Sequence, residues 1–296
     1  MKRIFSFYAL VFFLFFFSCA SSSVPNKEGS SVWKISRNGN TLFLAGSIHV
    51  LRDSDFPLPK EFDLAFSQSA ALVLEADIKQ LENEDFMQYM VSQMFLRNGQ
   101  TLQTLLEPDV YEMLIERLSK YKLPLENISL IKPSMIVNML TMFQIQELGF
   151  SQQGVDSFYM EKANSENIPV LFLESVETQI EMLVSMGEGY ENDFVLYSLQ
   201  DMENTEMYLS TIVNDWKTGE SANTVISIEE IKEETPLLYK PLITDRNDAW
   251  LPQIEEYLNS GNCYFIIVGL MHIYGPDGLL PQLKDLGCTI EQLIFK

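Results

Sequence analysis

Two apolar runs of strand length each end in a glycine, and three residues beyond that glycine stands one of the chain's only two histidines. Residues 41–45 lead through Gly46 to His49, and residues 263–268 lead through Gly269 to His272. A continuous apolar run bounded by loop residues reads as a buried strand. Imidazole is both the commonest side-chain metal ligand and the group that titrates nearest neutrality. Placing both imidazoles in the same strand-to-loop setting implies that they are used together.

Strand and helix signals alternate along the rest of the chain, which points to an α/β fold. Residues 32–36 and 41–45 flank Asn38-Gly39-Asn40 and read as a hairpin with a tight turn. Pro57-Leu58-Pro59 opens a helix, residues 70–74 form a buried strand ending at Glu75, and residues 80–148 are largely helical. A helix begins at residues 153–156, a strand covers 169–173 and ends at Glu174, and a second helical region spans 176–218. The acidic run 220–234 reads as a solvated loop or helix face. Helix 245–259, strand 263–268, helix 278–286 and strand 288–294 complete the chain. No internal repeat of solenoid period is present.

The formal net charge of −21, with 41 acidic against 20 basic residues, repels phosphates and anionic lipid heads, so nucleic acid is excluded as a partner. An apolar content of 47% marks a globular chain with enough length for a sizeable core.

The first residues read as an export signal. Lys2 and Arg3 precede the apolar stretch 4–17, which is too short to span a bilayer. Ser18-Cys19 then resembles a bacterial lipoprotein cleavage site, although Phe16 and Phe17 stand where such sites usually carry Leu and a small residue. On this reading residues 1–18 are the signal peptide, a lipid on Cys19 tethers the protein to the cell-envelope membrane, and 19–31 is a polar tether. Residues 32–296 form the folded domain outside the cytoplasm. A cleaved secretory signal with an incidental cysteine is the alternative. Cys263 and Cys288 either pair or remain buried single thiols.

Four polar residues thus fall at or just past the carboxyl ends of apolar strands: His49, Glu75, Glu174 and His272. In open α/β sheets that edge carries the ligand-binding loops. Each residue alone has a plainer reading, as a helix cap or a loop hydrogen-bonder. Together, two imidazoles and two carboxylates are the inventory of a divalent transition-metal site, with Mn, Fe, Co and Zn all compatible.

Six motifs in sequence order resemble the TraB/GumN (TraB–PrgY–GumN) family, which is related to the Tiki metalloproteases. They are Gly46-Ser-Ile-His49, Leu74-Glu75-Ala-Asp77, Gly154-Val-Asp156, Leu173-Glu174-Ser-Val-Glu177, Asp245-Arg246-Asn247-Asp-Ala-Trp250, and Gly269-Leu-Met-His272 with Gly275 and Gly278. Ser47 departs from the usual Thr, and Met271 from a usual small residue. The resemblance implies a central mixed sheet flanked by helices with helical insertions, like the ChaN and erythromycin-esterase group. It also implies a metal-dependent hydrolase, a peptidase acting on a peptide or protein substrate.

In that reading His49 and His272 hold the metal with one or more of Glu75, Asp156 and Glu174, and the metal lowers the pKa of a bound water. A carboxylate left over, Glu75 or Glu174, serves as general base. Arg246 contacts an oxyanion or substrate carboxylate, and Asn247 orients it or the substrate. Two plainer roles stay open: Asp156 as a first-turn acid favouring its helix dipole, and Arg246 as an ion pair with Asp245 or a neighbouring Glu. HExxH, Gly-x-Ser-x-Gly and Walker signatures are absent. Two alternatives of other classes also stand: an envelope lipoprotein that binds a peptide or haem without turnover, and a structural one whose histidines brace loops.

Overall fold

The structure, a computed structural model, describes residues 29–77, 79–80, 83–151 and 153–295. The signal segment, Cys19 and the tether as far as residue 28 lie outside the described residues.

The hairpin forms where the sequence places it, as β1 (Val32–Arg37) antiparallel to β2 (Asn40–Ser47). Asn38 and Gly39 join them with φ of 54° and 86°, the two positive values that let a two-residue turn follow the strand twist. Four further strands follow: β3 (Ala71–Leu74), β4 (Val170–Phe172), β5 (Tyr264–Gly269) and β6 (Thr289–Gln292). They assemble as one six-stranded sheet in the order β4-β3-β5-β2-β1-β6. The four strands from β4 to β2 are parallel, while β1 runs antiparallel to both β2 and β6. This is the mixed α/β sheet expected from the sequence. Because β5 inserts between β2 and β3, the ends of these three strands meet at one edge, the place where open α/β sheets bind ligands.

Helix α1 (Lys60–Ser67) connects β2 to β3. Between β3 and β4 lie α2 (Glu84–Gln93), α3 (Leu102–Leu105), α4 (Pro108–Ser119), α5 (Leu125–Ile128), α6 (Pro133–Glu147) and α7 (Val155–Glu166). Between β4 and β5 lie α8 (Val176–Ser185), α9 (Glu191–Asp201), α10 (Thr205–Thr218), α11 (Ala222–Glu234), α12 (Pro236–Tyr239) and α13 (Asp245–Asn259). The last helix, α14 (Leu279–Asp285), leads into β6. The acidic run thus lies mostly on α11. None of the described helices is long and apolar enough to cross a membrane.

Burial explains the apolar runs. Phe265, Ile266, Ile267 and Val268 are all fully buried, and successive strand residues face opposite ways, so helices cover both faces of the sheet. Phe265 meets Phe62 of α1 and Tyr159 of α7, and Phe62 also packs on Trp216 of α10. A second apolar cluster forms away from the sheet, where Leu114, Ile136, Leu140 and Val195 join α4, α6 and α9. Helix α8 packs against α6 of this helical insertion and against α2.

Ser30 and Ser31, the end of the stretch read as tether, are buried. Ser31 donates its backbone N–H to Trp216 O at 3.0 Å and accepts from Gly46 N at 2.9 Å, so the folded unit begins ahead of Val32. Cys263 and Cys288 are unpaired thiols at the starts of β5 and β6, which β2 and β1 separate.

Candidate active site

His49 sits two residues past β2 and Asp156 in the first turn of α7. Their side chains meet, with His49 Nδ1 3.0 Å from Asp156 Oδ1. Ser47 Oγ donates to the same oxygen at 2.6 Å. Gly154 makes the meeting possible. A Cβ there would stand 2.5 Å from the His49 carbonyl and from Ile48 O, so only glycine lets α7 approach the loop this closely. Val155 N then donates to Ile48 O at 3.1 Å.

Burial opposes the charge on Asp156, but His49 and the hydrogen bonds from His49 and Ser47 hold its pKa below the usual value. The Asp156 carboxylate raises His49 to about 9, against the partial desolvation of its ring. The His49 side chain is 59% exposed, so water screens part of that attraction and makes 9 an upper bound. An ionised carboxylate only accepts, so Nδ1 carries the proton and Nε2 is the atom left for chemistry.

Glu75, immediately after β3, is buried. Its Oε1 accepts from Gly269 N at 2.6 Å, while Oε2 accepts from Arg246 Nη2 at 2.5 Å and Gln179 Nε2 at 3.0 Å. Burial alone would raise its pKa, but Arg246, then both histidines and the Gly269 amide, bring it down to about 2. Glu174, one residue past Leu173, stands beside it, since its backbone N donates to Glu75 O at 2.9 Å. Glu174 accepts from Arg246 Nε at 3.0 Å and Nη2 at 2.6 Å, and from Trp250 Nε1 at 3.2 Å.

Arg246, near the start of α13, ties the cluster together. Its remaining nitrogen, Nη1, donates to Leu242 O at 3.3 Å and to His272 Nε2 at 2.9 Å. All five guanidinium N–H groups therefore have acceptors. The ion pair left open by the sequence is present, but its partners are Glu75 and Glu174, while Asp245 pairs with Lys240. An oxyanion contact from Arg246 would require breaking one of these bonds.

His272 is only 4% exposed. Its Nδ1 lies 2.7 Å from Asn247 Oδ1. Asn247 Nδ2 in turn donates to His272 O at 3.3 Å and Asp277 O at 2.8 Å. Asn247 is fully buried and orients His272, so the expected contact with Arg246 or substrate is replaced by one with the imidazole. Burial lowers the His272 pKa to about 3, with Arg246 and His49 adding to the effect and Glu75 opposing it. The ring is neutral, with its proton on Nδ1 and its Nε2 lone pair facing Arg246.

A cleft of about 440 Å³ opens onto this edge. His49, Glu75, Asp156 and Arg246 line it, with Met160, Met182, Leu183 and Leu242 forming apolar walls. Glu174, Asn247 and His272 pack behind Arg246. Gly269 marks the meeting point, where a Cβ would lie 3.3 Å from Glu75 Oε1, 3.4 Å from His272 Cδ2 and 3.5 Å from His49 Nε2.

Gln179 of α8, which lines the cleft and bonds Glu75, is a residue of this cluster that sequence reasoning missed. Val176, Gln179, Ile180 and Leu183 share one helical stripe, and an amide within that apolar stripe is the signal that marks it.

A profile described as the TraB/PrgY/gumN family matches residues 31–292. The chain belongs to the TraB/PrgY/GumN family. It is similar to YbaP of Escherichia coli (strain K12), 26% identical over 257 residues that cover 83% of this chain and 88% of YbaP. The Shigella flexneri YbaP is 26% identical over 251 residues, covering 81% of this chain and 86% of that protein. Both relatives are described as uncharacterized, so they support the family and bring no activity.

For this TraB/PrgY/GumN chain the family resemblance implies a transition metal. Among the described residues no three His, Cys, Asp or Glu side chains converge as metal ligands. Arg246 is the reason: it takes the His272 lone pair and binds both strand-end carboxylates. As arranged, these donors do not fit a bound metal.

Proposed function

We propose that this chain is an exported, envelope-tethered hydrolase that cleaves an acyl bond, most simply a peptide bond, in the cleft at the carboxyl edge of the sheet. The observation that carries the reading is the His49–Asp156 pair, with Nδ1 held by the carboxylate and the opposite nitrogen free at the cleft. A histidine oriented in this way by an acid is the arrangement of a general base.

Neutral His49 takes a proton from water at Nε2, and the resulting hydroxide attacks the substrate carbonyl carbon. Charge then develops on the carbonyl oxygen. Gln179 spends one amide N–H on Glu75 Oε2 and keeps a second, which can donate to that oxygen. Protonated His49 returns its proton to the leaving nitrogen as the carbon–nitrogen bond breaks. Glu75, held to about 2 and accepting three hydrogen bonds, is too weak a base for the first step and serves to fix Arg246, Gln179 and Gly269. The apolar walls suit a substrate that places an aliphatic or aromatic side chain beside the scissile bond. The leader and Cys19 support export and tethering.

The test is a mixed peptide pool incubated with the full-length protein and read by mass spectrometry. Wild type should cut next to apolar residues and His49→Ala should leave the pool intact. Equal cleavage by both proteins would end the assignment of His49.

A further inference from the structure

We propose that Arg246 is the resident cation of this site, occupying the place among Glu75, Glu174 and His272 that a divalent metal would otherwise take. The proposal stands apart from the hydrolase reading, because a cleft that cleaves nothing would defeat that reading and leave this one intact.

Four observations converge. The two carboxylates each have side chains only 9% exposed, and both bond one guanidinium that is itself 12% exposed. Two such buried charges require a partner cation, and Arg246 supplies it. The lone pair that His272 would offer a metal, on Nε2, faces Arg246 Nη1 at 2.9 Å. Asn247 fixes the other ring nitrogen at 2.7 Å, so turning the ring over would sacrifice that bond as well. Finally, Trp250 closes the cage, with its ring 4.5 Å from the guanidinium carbon and its Nε1 on Glu174.

A metal and Arg246 cannot share this space, because like charges at such a distance repel strongly in a site shielded from water. Removing only the guanidinium would leave two carboxylates and one imidazole nitrogen around a void. That donor set suits Mn, Fe, Co or Zn. The sequence pattern of a metal site and the structure's refusal of one then share a cause: the ligand types are present and a side-chain cation holds them.

The test uses the purified full-length protein, titrated with MnCl₂ and ZnCl₂ by calorimetry and analysed for bound metal after desalting. Wild type should hold no stoichiometric metal. Arg246→Ala should gain about one equivalent per chain and lose it again in Arg246→Ala/His272→Ala. One equivalent bound to wild type and lost in His272→Ala would overturn the proposal, as would a folded Arg246→Ala that binds none. Should Arg246→Ala fail to fold, histidine-labelled wild type decides by ¹⁵N NMR. The Nε2 signal of His272 should stay fixed during Zn²⁺ addition, and movement of that signal would overturn the proposal.

Discussion

Asn247 Oδ1 accepts the Nδ1 proton of His272 across 2.7 Å, and this one bond decides which face of the imidazole meets Arg246. Asn247 is adjacent to Arg246 in sequence, so the first turn of α13 supplies both the cation and the group that aims the histidine at it.

Asn247→Ala therefore leaves the buried His272 Nδ1 without its partner, while Asp277 O keeps its bond from Gln282 Nε2, a loss of about 1–3 kcal/mol. Urea denaturation should report that loss. In ¹⁵N spectra His272 should change from one tautomer to a mixture, and a variant of unchanged stability and tautomer would contradict the assignment.

The two histidines pull stability in opposite directions with pH. His49, raised from 6.5 to about 9, contributes stability that is present below 6.5 and lost as pH rises toward 9. His272, lowered from 6.5 to about 3, contributes stability that is present above 6.5 and lost as pH falls toward 3. Glu75, lowered from 4.5 to about 2, adds to the acid loss below 4.5. Thermal midpoints should thus peak near pH 6.5, and His49→Asn should flatten the alkaline side most, with a smaller flattening of the acid side where its charge had held Asp156 and Glu75 down.

Accessibility separates the same pair chemically. With side-chain exposure of 59% at His49 and residue exposure of 4% at His272, diethyl pyrocarbonate should modify the folded protein at His49, increasingly as the pH rises toward 9 and the imidazole loses its proton, and spare His272. Equal labelling would show that the Arg246 cluster is open to solvent.

Gly154→Ala places a methyl group 2.5 Å from the His49 carbonyl. The overpacking should cost about 1–3 kcal/mol and push α7 away from the loop. Peptide cleavage should fall with the loss of the Asp156 contact, even though no side chain in the cleft has been removed.

Much of this site is legible in the sequence because it is built from strand ends. A strand fixes the base of the residue that follows it, so His49, Glu75, Glu174 and His272 were placed on one edge by apolar runs alone. Sheet order was less accessible, since β5, at Tyr264–Gly269, enters between β2 and β3 from the far end of the chain. The division of labour was hidden for a different reason. Residue type marks His272 and Arg246 as ligand and oxyanion contact, but hydrogen-bond saturation assigns both to a closed cluster, and saturation is a property of packing. Gln179 lies on a helix whose apolar stripe shows in the sequence, but its bond to Glu75 is set by packing that no local pattern reports.

The most direct test of the account is the pH dependence of peptide hydrolysis by the full-length protein beside His49→Ala. A base with a pKa of about 9 is only about 1% neutral at pH 7, so the rate should climb close to tenfold per pH unit and level off at or below pH 9. In His49→Ala that limb should vanish. A wild-type rate that is flat or falls between pH 6 and 9, or an alkaline limb that survives in His49→Ala, would contradict the claim that His49 activates the water.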